Sequence, residues 1–324
     1  MAFGDTSNPV RFGYGQSVSD DRNLFLKVFG GEVLAAFSEA IVFADKHMTK
    51  RVTEGKSFQF PKTWKATSEY HTAGQELLGT DIDTTEVTVT VDGLLVAHTA
   101  IYDLDAKMSH FDVTSQFSTE LGKALARTYD RNVARQLILA ARTAADGPFP
   151  AGNTVTDSSL TNSGTIDGKA WIDAIRAANI LMFNKDVPED MPTYMTVNAA
   201  VFDAIKYAKD ANGNYILVNR DTGDLSIRMK AQTIEVEGVN VMRSRLMPTT
   251  DESSDTSVWA KYRANYSTTT GIMWKPMAAA TVNLMDVALE TERDVRRQED
   301  FMVAKMAAGH GVLRPEAAVE FKTS

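Results

Sequence analysis

Apolar residues recur at two different periods along the 324-residue chain, and the switch between them sets out its organisation. Residues 1–22 show no apolar period and are rich in Gly, Ser, Asp and Asn, which predicts an arm with no core of its own. The stretch LFLKVFGGEVLAAF at 24–37 places Leu26, Phe29, Val33 and Phe37 at helical spacing, a short amphipathic helix with a weak point at Gly30 and Gly31. From 49 to 105 the period becomes two: FQF at 58–60, then Val87, Val89 and Val91 alternating with Thr88, Thr90 and Asp92. That alternation predicts long antiparallel strands. The segment 61–86 mixes Trp64, Tyr70, Gly74 and Gly79 with polar residues and reads as a protruding hairpin, since so extended an excursion cannot bury a core.

The strongest signal lies between about 113 and 143, where Phe117, Leu121, Leu125, Tyr129, Val133, Leu137 and Ala141 recur every four residues with no proline. A helix of that length spans roughly 45 Å and would serve as a spine for other elements. A linker rich in Gly, Pro, Ser, Thr and Asn follows at 146–168. Beyond it the pattern predicts a helix at about 168–184, a strand near 193–197, and a helix from Asn198, a natural N-cap, to about 209. Further strands fall at 233–244 and 271–276, and then in TVNLMDVALETER and FMVAKMAA. A Gly-His-Gly turn at 309–311 is expected to separate the latter from AAVEF. These last strands need partners from earlier in the chain, so the C-terminal part should fold back against the spine, leaving the central region as an insertion. The mixture is α+β.

Composition narrows the function classes. The length exceeds the usual single domain, so two cores, or one core with long excursions, is the expectation. With no cysteine, disulfides, thiolate metal sites and a cysteine nucleophile are excluded. No apolar run approaches the roughly 20 residues of a membrane span, and the first residues lack a signal-peptide pattern, which places the expected starting point in a cytoplasm. The balance of 42 acidic to 34 basic residues, net −8, is the opposite of a protein that grips many phosphates. An acidic wall would nevertheless leave a packed duplex free to slide.

Candidate chemistry is sparse. Gly55-Lys56-Ser57 imitates the end of a phosphate-binding loop, but Lys50 stands where its first glycine belongs, and a turn at the foot of the hairpin explains it better. Asp210, Asn212 and Asn214 open like a calcium loop, yet Tyr215 holds the glycine position and no Glu closes it. The histidines His47, His71, His98, His110 and His310 show no metal-binding spacing. Asp112, beside His110 and Phe111, fits the N-cap region of the long helix. No Ser sits in a GxSxG elbow. The enzyme alternative is an intracellular metal-dependent hydrolase whose Asp81, Asp83 and Asp103 converge in space; a tail or decoration protein, a further reading, would lack the spine helix.

Several ordered stretches together resemble the major capsid proteins of short-tailed, autographivirus-type bacteriophages. They are LFLKVFGGEVLAAF with His47-Met48, Gly55-Lys56-Ser57 with Gln59-Phe60-Pro61, Asp92-Gly93-Leu94-Leu95, Ile101-Tyr102-Asp103, Leu121-Gly122 and GHGVLRPEAAV at 309–319. The middle carries Val187-Pro188-Glu189, Asn198, Phe202, Ile234, Val236, Gly238, Val239, Val241 and Pro248 in the wider capsid pattern, while 144–165 and 249–270 match no motif. The resemblance implies the Hong Kong 97-type capsid fold: an N-terminal arm (1–48), an extended β-hairpin loop (49–100), a peripheral domain with the spine helix (101–148 and 279–324) and an axial domain (149–278). It implies a structural subunit of the virion, not an enzyme and without cofactor or metal. Such a subunit is assembled in the host bacterial cytoplasm into pentamers and hexamers of an icosahedral shell around double-stranded DNA. The implied partners are copies of itself, a scaffolding protein, a portal, and a decoration or minor capsid protein. Expected assembly-interface residues are Leu26, Phe29, Lys56, Phe58, Phe60, Trp64, Gly309, His310, Gly311 and Arg314. Lys56, Lys62 and Lys65 lie where the founding member carries a crosslinking lysine, a chemistry not carried over to this sequence.

Overall fold

The computed structural model describes residues 37, 41–43, 45–76, 79, 81–102, 104, 114–210, 212–216 and 233–323. The expected arm, the helix carrying Leu26 and Phe29, and Asp103, His110 and Asp112 lie outside the described residues. The elements run β1 (Met48–Arg51), β2 (Ser57–Thr63), β3 (Thr84–Thr90), β4 (Leu95–Tyr102), α1 (Thr114–Arg142), β5 (Asn153–Thr156), α2 (Gly168–Asn184), β6 (Thr193–Val197) and α3 (Ala199–Lys206). They continue with β7 (Thr233–Val236), β8 (Val239–Arg243), β9 (Thr269–Trp274), β10 (Ala279–Asp294), β11 (Glu299–Val312) and β12 (Ala318–Lys322). The four-residue apolar period becomes the 29-residue α1, and the expected spans of α2 and β6 are met. Asn198 does stand at the N-cap of α3, but its side chain makes no capping hydrogen bond, whereas Asp167 caps α2 by accepting from the Lys169 N–H at 2.9 Å.

Three sheets organise the described strands: β1-β10-β11-β4, β5-β12-β9-β6-β8-β7, and the hairpin pair β2-β3. Four pairings differ from the sequence expectation. β1 and β4 are not arms of the hairpin; β1 runs parallel to β10, and β4 runs antiparallel to β11 from Tyr102↔Glu299 to Leu95↔Met306. β12 does not stay with the strands that precede it but enters the sheet of the central region, parallel to β5 and antiparallel to β9. The Gly-His-Gly at 309–311 is no turn. It lies inside β11, paired with Val282, Thr281 and Ala280 of β10, and the chain reverses only later, through a 3-10 turn at Pro315–Ala317. Its glycines answer a close approach: a Cβ on Gly309 would sit 2.1 Å from the Thr90 carbonyl oxygen, and one on Gly311 would meet the Val89 side chain at 2.6 Å.

One continuous core joins the two larger sheets, and α1 is its axis. The helix lies against β4, β10 and β11 on one side and β5, β9 and β12 on the other. Leu125, Tyr129, Val133, Leu137, Ile138 and Ala141 are all buried, and burial of each large side chain contributes about 2 kcal/mol relative to exposure. Near its C-terminus the helix is enclosed on nearly every face, and its arginines there are paired, whereas the buried Gln136 Oε1 has no hydrogen-bond partner among the described residues. Arg142 donates through Nε and Nη2 to the two oxygens of the buried Glu320 at 2.8 and 2.6 Å, and through Nη1 to the Asn265 carbonyl at 2.7 Å. Arg135 donates to Glu252 at 2.8 Å. These contacts give the unplaced segment 249–270 a packing role: it closes over the spine, with Tyr262 and Tyr266 fully buried.

Candidate assembly elements

The hairpin divides into a pinned base and a bare tip. Along β2, Phe58, Phe60 and Lys62 share the inward face, and across the ladder Phe58 pairs with Val89 and Phe60 with Val87. Phe58 and Phe60 meet edge to face at 4.9 Å, and the Lys50 ammonium lies 5.6 Å from the Phe58 ring. At the base, Asp92 N–H donates to the Ala308 carbonyl of β11 at 3.1 Å, beside the glycines that let β3 approach. Further out, Trp64 meets Phe149 edge to face at 5.5 Å, and buried Lys62 places its ammonium 4.0 Å from the same ring. Such aromatic and cation–π contacts are each worth about 1 kcal/mol. Burial holds the Lys62 amine below its ordinary pKa, opposed by the nearby carboxylate of Glu316. Lys65 pairs with Asp186. Phe58, Phe60 and Trp64 are therefore half-buried against their own chain; the paired strands of the hairpin do have structure beneath them.

Beyond Trp64 the picture changes. Every described residue from 65 to 86 is exposed, including Tyr70 at 104% and Ile82 at 45% of full exposure. Gly74 and Gly79 adopt positive φ with open space around them. Among the assembly residues expected from sequence, Lys56 is exposed at the turn before β2, where Gly55 takes φ +107. Arg314 lines a cleft of about 220 Å³ under the hairpin with Trp64, Lys65, Lys185 and Glu316. Gly309 and His310 are placed in the interior, His310 at 4% exposure, and Gly311 behind Val89; this corrects their assignment to a surface. Their role is internal packing.

That interior site was not legible as one. His310 Nδ1 lies 2.8 Å from Thr281 Oγ1, which lies 2.6 Å from His47 Nε2, while His47 Nδ1 is 2.7 Å from the Phe43 carbonyl. Tyr129 stands edge-on to His310 at 4.8 Å. Next to Tyr129 on the spine, fully buried Asp130 accepts from the Val42 N–H at 2.7 Å, and Trp274 Nε1 donates to the Lys46 carbonyl at 2.8 Å. Together they fasten the 41–47 turn to α1, β9 and β10. Burial lowers the His47 pKa to about 4, despite its bond to the Phe43 carbonyl, and lowers that of His310 well below the ordinary value. Burial also raises Asp130 to about 6, against the pull of the two backbone donors, and Tyr129 to about 12. The joint is thus neutral at its histidines and serves attachment. A short bond from Tyr262 to Asp92, with Lys261 at 2.5 Å from the same carboxylate, fixes the turn after β3.

Elsewhere the motifs resolve simply. Asp210 accepts from the Asn212 and Asn214 N–H groups, both at 2.8 Å, so the calcium-like run is a turn closing on itself. Asp81 and Asp83 are exposed on the hairpin tip, and among the described residues no three His, Asp or Glu side chains cluster as a metal site. No described helix is long and apolar enough to cross a membrane.

A spine helix between two sheets, a projecting hairpin and a bare tip are the parts that the resemblance noted in the sequence implies for a shell subunit, and comparison with known proteins bears on that directly. Residues 59–322 match the model of a family described as Gp10A-like, major capsid protein. The chain belongs to this family. Accordingly, it is 34% identical to the major capsid protein of Enterobacteria phage T3, over 94% of this chain and 93% of the relative. With the major capsid protein of Escherichia phage T7 the identity is 31%, over 93% and 92%. In three dimensions it is similar to the capsid chain of cyanophage P-SCSP1u, with a TM-score of 0.76, 32% identity and 99% of both chains covered. The fold of this capsid protein is the α+β Hong Kong 97 type. It is a structural subunit of a tailed-phage virion and assembles with copies of itself into the shell.

Proposed function

We propose that the hairpin tip is the element through which one capsid subunit engages the next. Exposure carries this reading: the base of the hairpin is pinned to β11 and Phe149, while the described residues 65–86 present Tyr70, Ile82, Glu69, Glu76, Asp81, Asp83 and Glu86 to solvent. Side chains so bare gain burial only from a neighbour, and repetition around a ring multiplies each modest contact. Half-buried Phe58, Phe60 and Trp64, with Lys56 and Arg314, border that contact, and Leu26 and Phe29 of the arm complete it. In this scheme the arm (1–48), the hairpin loop (49–100), the peripheral part and the axial part each contribute, with β12 shared between the last two. The subunits form pentamers and hexamers around double-stranded DNA, in the bacterial cytoplasm, on a scaffolding protein and a portal, with a decoration or minor capsid protein as a further partner. The chain turns over no substrate.

Replacing residues 65–82 by an Asn-Gly turn, which suits the paired strands that flank them, tests the proposal. A folded subunit by circular dichroism and no shells by negative-stain microscopy is the expected result. Normal shells from that chain would overturn it.

A further inference from the structure

The spine helix carries a feature that intersubunit contact through the hairpin does not use. Lys123, Arg127, Arg131 and Arg135 follow one another at four-residue steps along α1, which places successive cations about 6 Å apart along one face. Arg135, at the buried end, is taken up by Glu252 at 2.8 Å and by the Asn132 side chain at 2.7 Å. Arg127 and Arg131 are exposed, and Lys123 is half-buried. Lys123 and Arg127 share the single exposed carboxylate of Glu120, at 3.2 and 3.8 Å, a surface pairing of little strength. Arg131 is exposed and pairs with no carboxylate among the described residues. Arg127 and Arg131 edge a groove of about 370 Å³ between the spine and the chain at Leu246 and Ser257. On a chain whose net charge is −8, three cations facing one carboxylate form a local reversal of sign.

We propose that this ridge is a nucleic-acid contact: Arg127 and Arg131, with Lys123, take backbone phosphates of the duplex enclosed by the shell. The inference rests on the reading of the chain as the subunit of a DNA-enclosing shell. Three observations favour a phosphate backbone over an acidic peptide. The cations are regular, at steps of about 6 Å, and so is the row of negative charges that a phosphate backbone presents. Arginine presents the planar fork that phosphate oxygens accept. The groove offers Ala124 and Leu246 but no aromatic pocket of the kind that anchors a docked peptide. Contacts of this kind hold phosphates without reading sequence, so a ridge repeated on every subunit would grip the duplex weakly and everywhere.

Fluorescence anisotropy of a short labelled duplex with the full chain tests this between low and physiological salt. The native chain should bind, more weakly as salt rises. The R127Q/R131Q variant should lose about tenfold in affinity at low salt, with its log–log salt slope reduced by about 2, because each phosphate contact contributes roughly 0.9. Both positions are exposed, and an unchanged circular dichroism spectrum verifies the fold. R176Q, which alters an exposed arginine on α2, should bind as the native chain does. So should the tip-replaced chain, which separates this inference from the role of the hairpin. Duplex binding by R127Q/R131Q equal to native would overturn the proposal, as would a native chain that binds a poly-glutamate peptide and ignores the duplex.

Discussion

The hairpin tip and the spine joint use the same residue types to opposite ends. In the joint, Trp274 and Tyr129 are buried, Asp130 has no solvent contact, and Gly309 is hemmed in by backbone. At the tip, Tyr70 is bare, Asp81 and Asp83 face water, and Gly74 has open space where a Cβ would go. The joint is specified by what it touches inside one chain. Among the described residues the tip is tied to the rest of the chain by side chains at its two ends alone, Lys65 to Asp186 and Glu86 to Gln59, which leaves between them a surface whose complement is another molecule.

The widest separation between the two regions should appear with aromatic truncation. Trp274→Ala removes a fully buried ring, its contact with Phe43 and its bond to Lys46, and should cost about 4 kcal/mol in urea denaturation. Tyr70→Ala should stay within about 0.5 kcal/mol. Equal costs would erase the distinction.

Acidity sharpens the comparison next. His47 takes its proton near 6.5 when unfolded and only near pH 4 when folded, so it withdraws stability as pH falls through that window. Asp130 is protonated in the folded chain near pH 6 but not until about 3.8 when unfolded, so it adds stability over nearly the same window. Each effect is on the order of 3 kcal/mol, and they oppose one another, while buried His310 reinforces the loss. Asp130→Asn deletes the compensating gain. Between pH 6.5 and 4 that variant should lose about 3 kcal/mol more than the native chain in urea midpoints, and parallel curves would show that Asp130 does not offset His47.

Glycine gives the smallest contrast. Gly309→Ala forces a methyl against the Thr90 carbonyl and should cost about 2 to 3 kcal/mol, because backbone cannot step aside. Gly74→Ala meets no atom but pays for its φ of +92, about 1 kcal/mol. Comparable denaturation midpoints for the two would mean that β3 is free to move off β11.

Much of the fold was legible because periodicity is local. The spine announced itself in Leu121, Leu125, Tyr129 and Val133, and β6 in its own apolar run. Pairing between distant segments was not. Nothing in Gly309-His310-Gly311 distinguishes a turn from a strand that another strand crosses closely; the difference lies in Thr90, more than 200 residues away. Asp130 looks like a surface acid on a helix until its acceptors' partners, the Val42 and Phe43 N–H groups, are known. Likewise, Arg142 and Glu320 stand 178 residues apart and share no motif. Phe58, Phe60 and Trp64 stand out in the sequence as candidate anchors, but the chain's own Lys50 lies over Phe58 and its own Phe149 against Trp64, partners that no local pattern announces. The cations of the spine were in plain view at four-residue spacing, masked by the apolar period they accompany.

The strand Ala318–Lys322 has a mechanical consequence. It is bonded on both sides, to β5 in parallel and to β9 in antiparallel register, and its Glu320 is clasped by the last turn of the spine. A pull along the strand loads all the rungs of both ladders at once, in shear, and cannot peel them one by one. In the wall of a vessel stretched by its contents, tension reaching the two sheets along this line would be shared by the whole strand before any single bond had to yield.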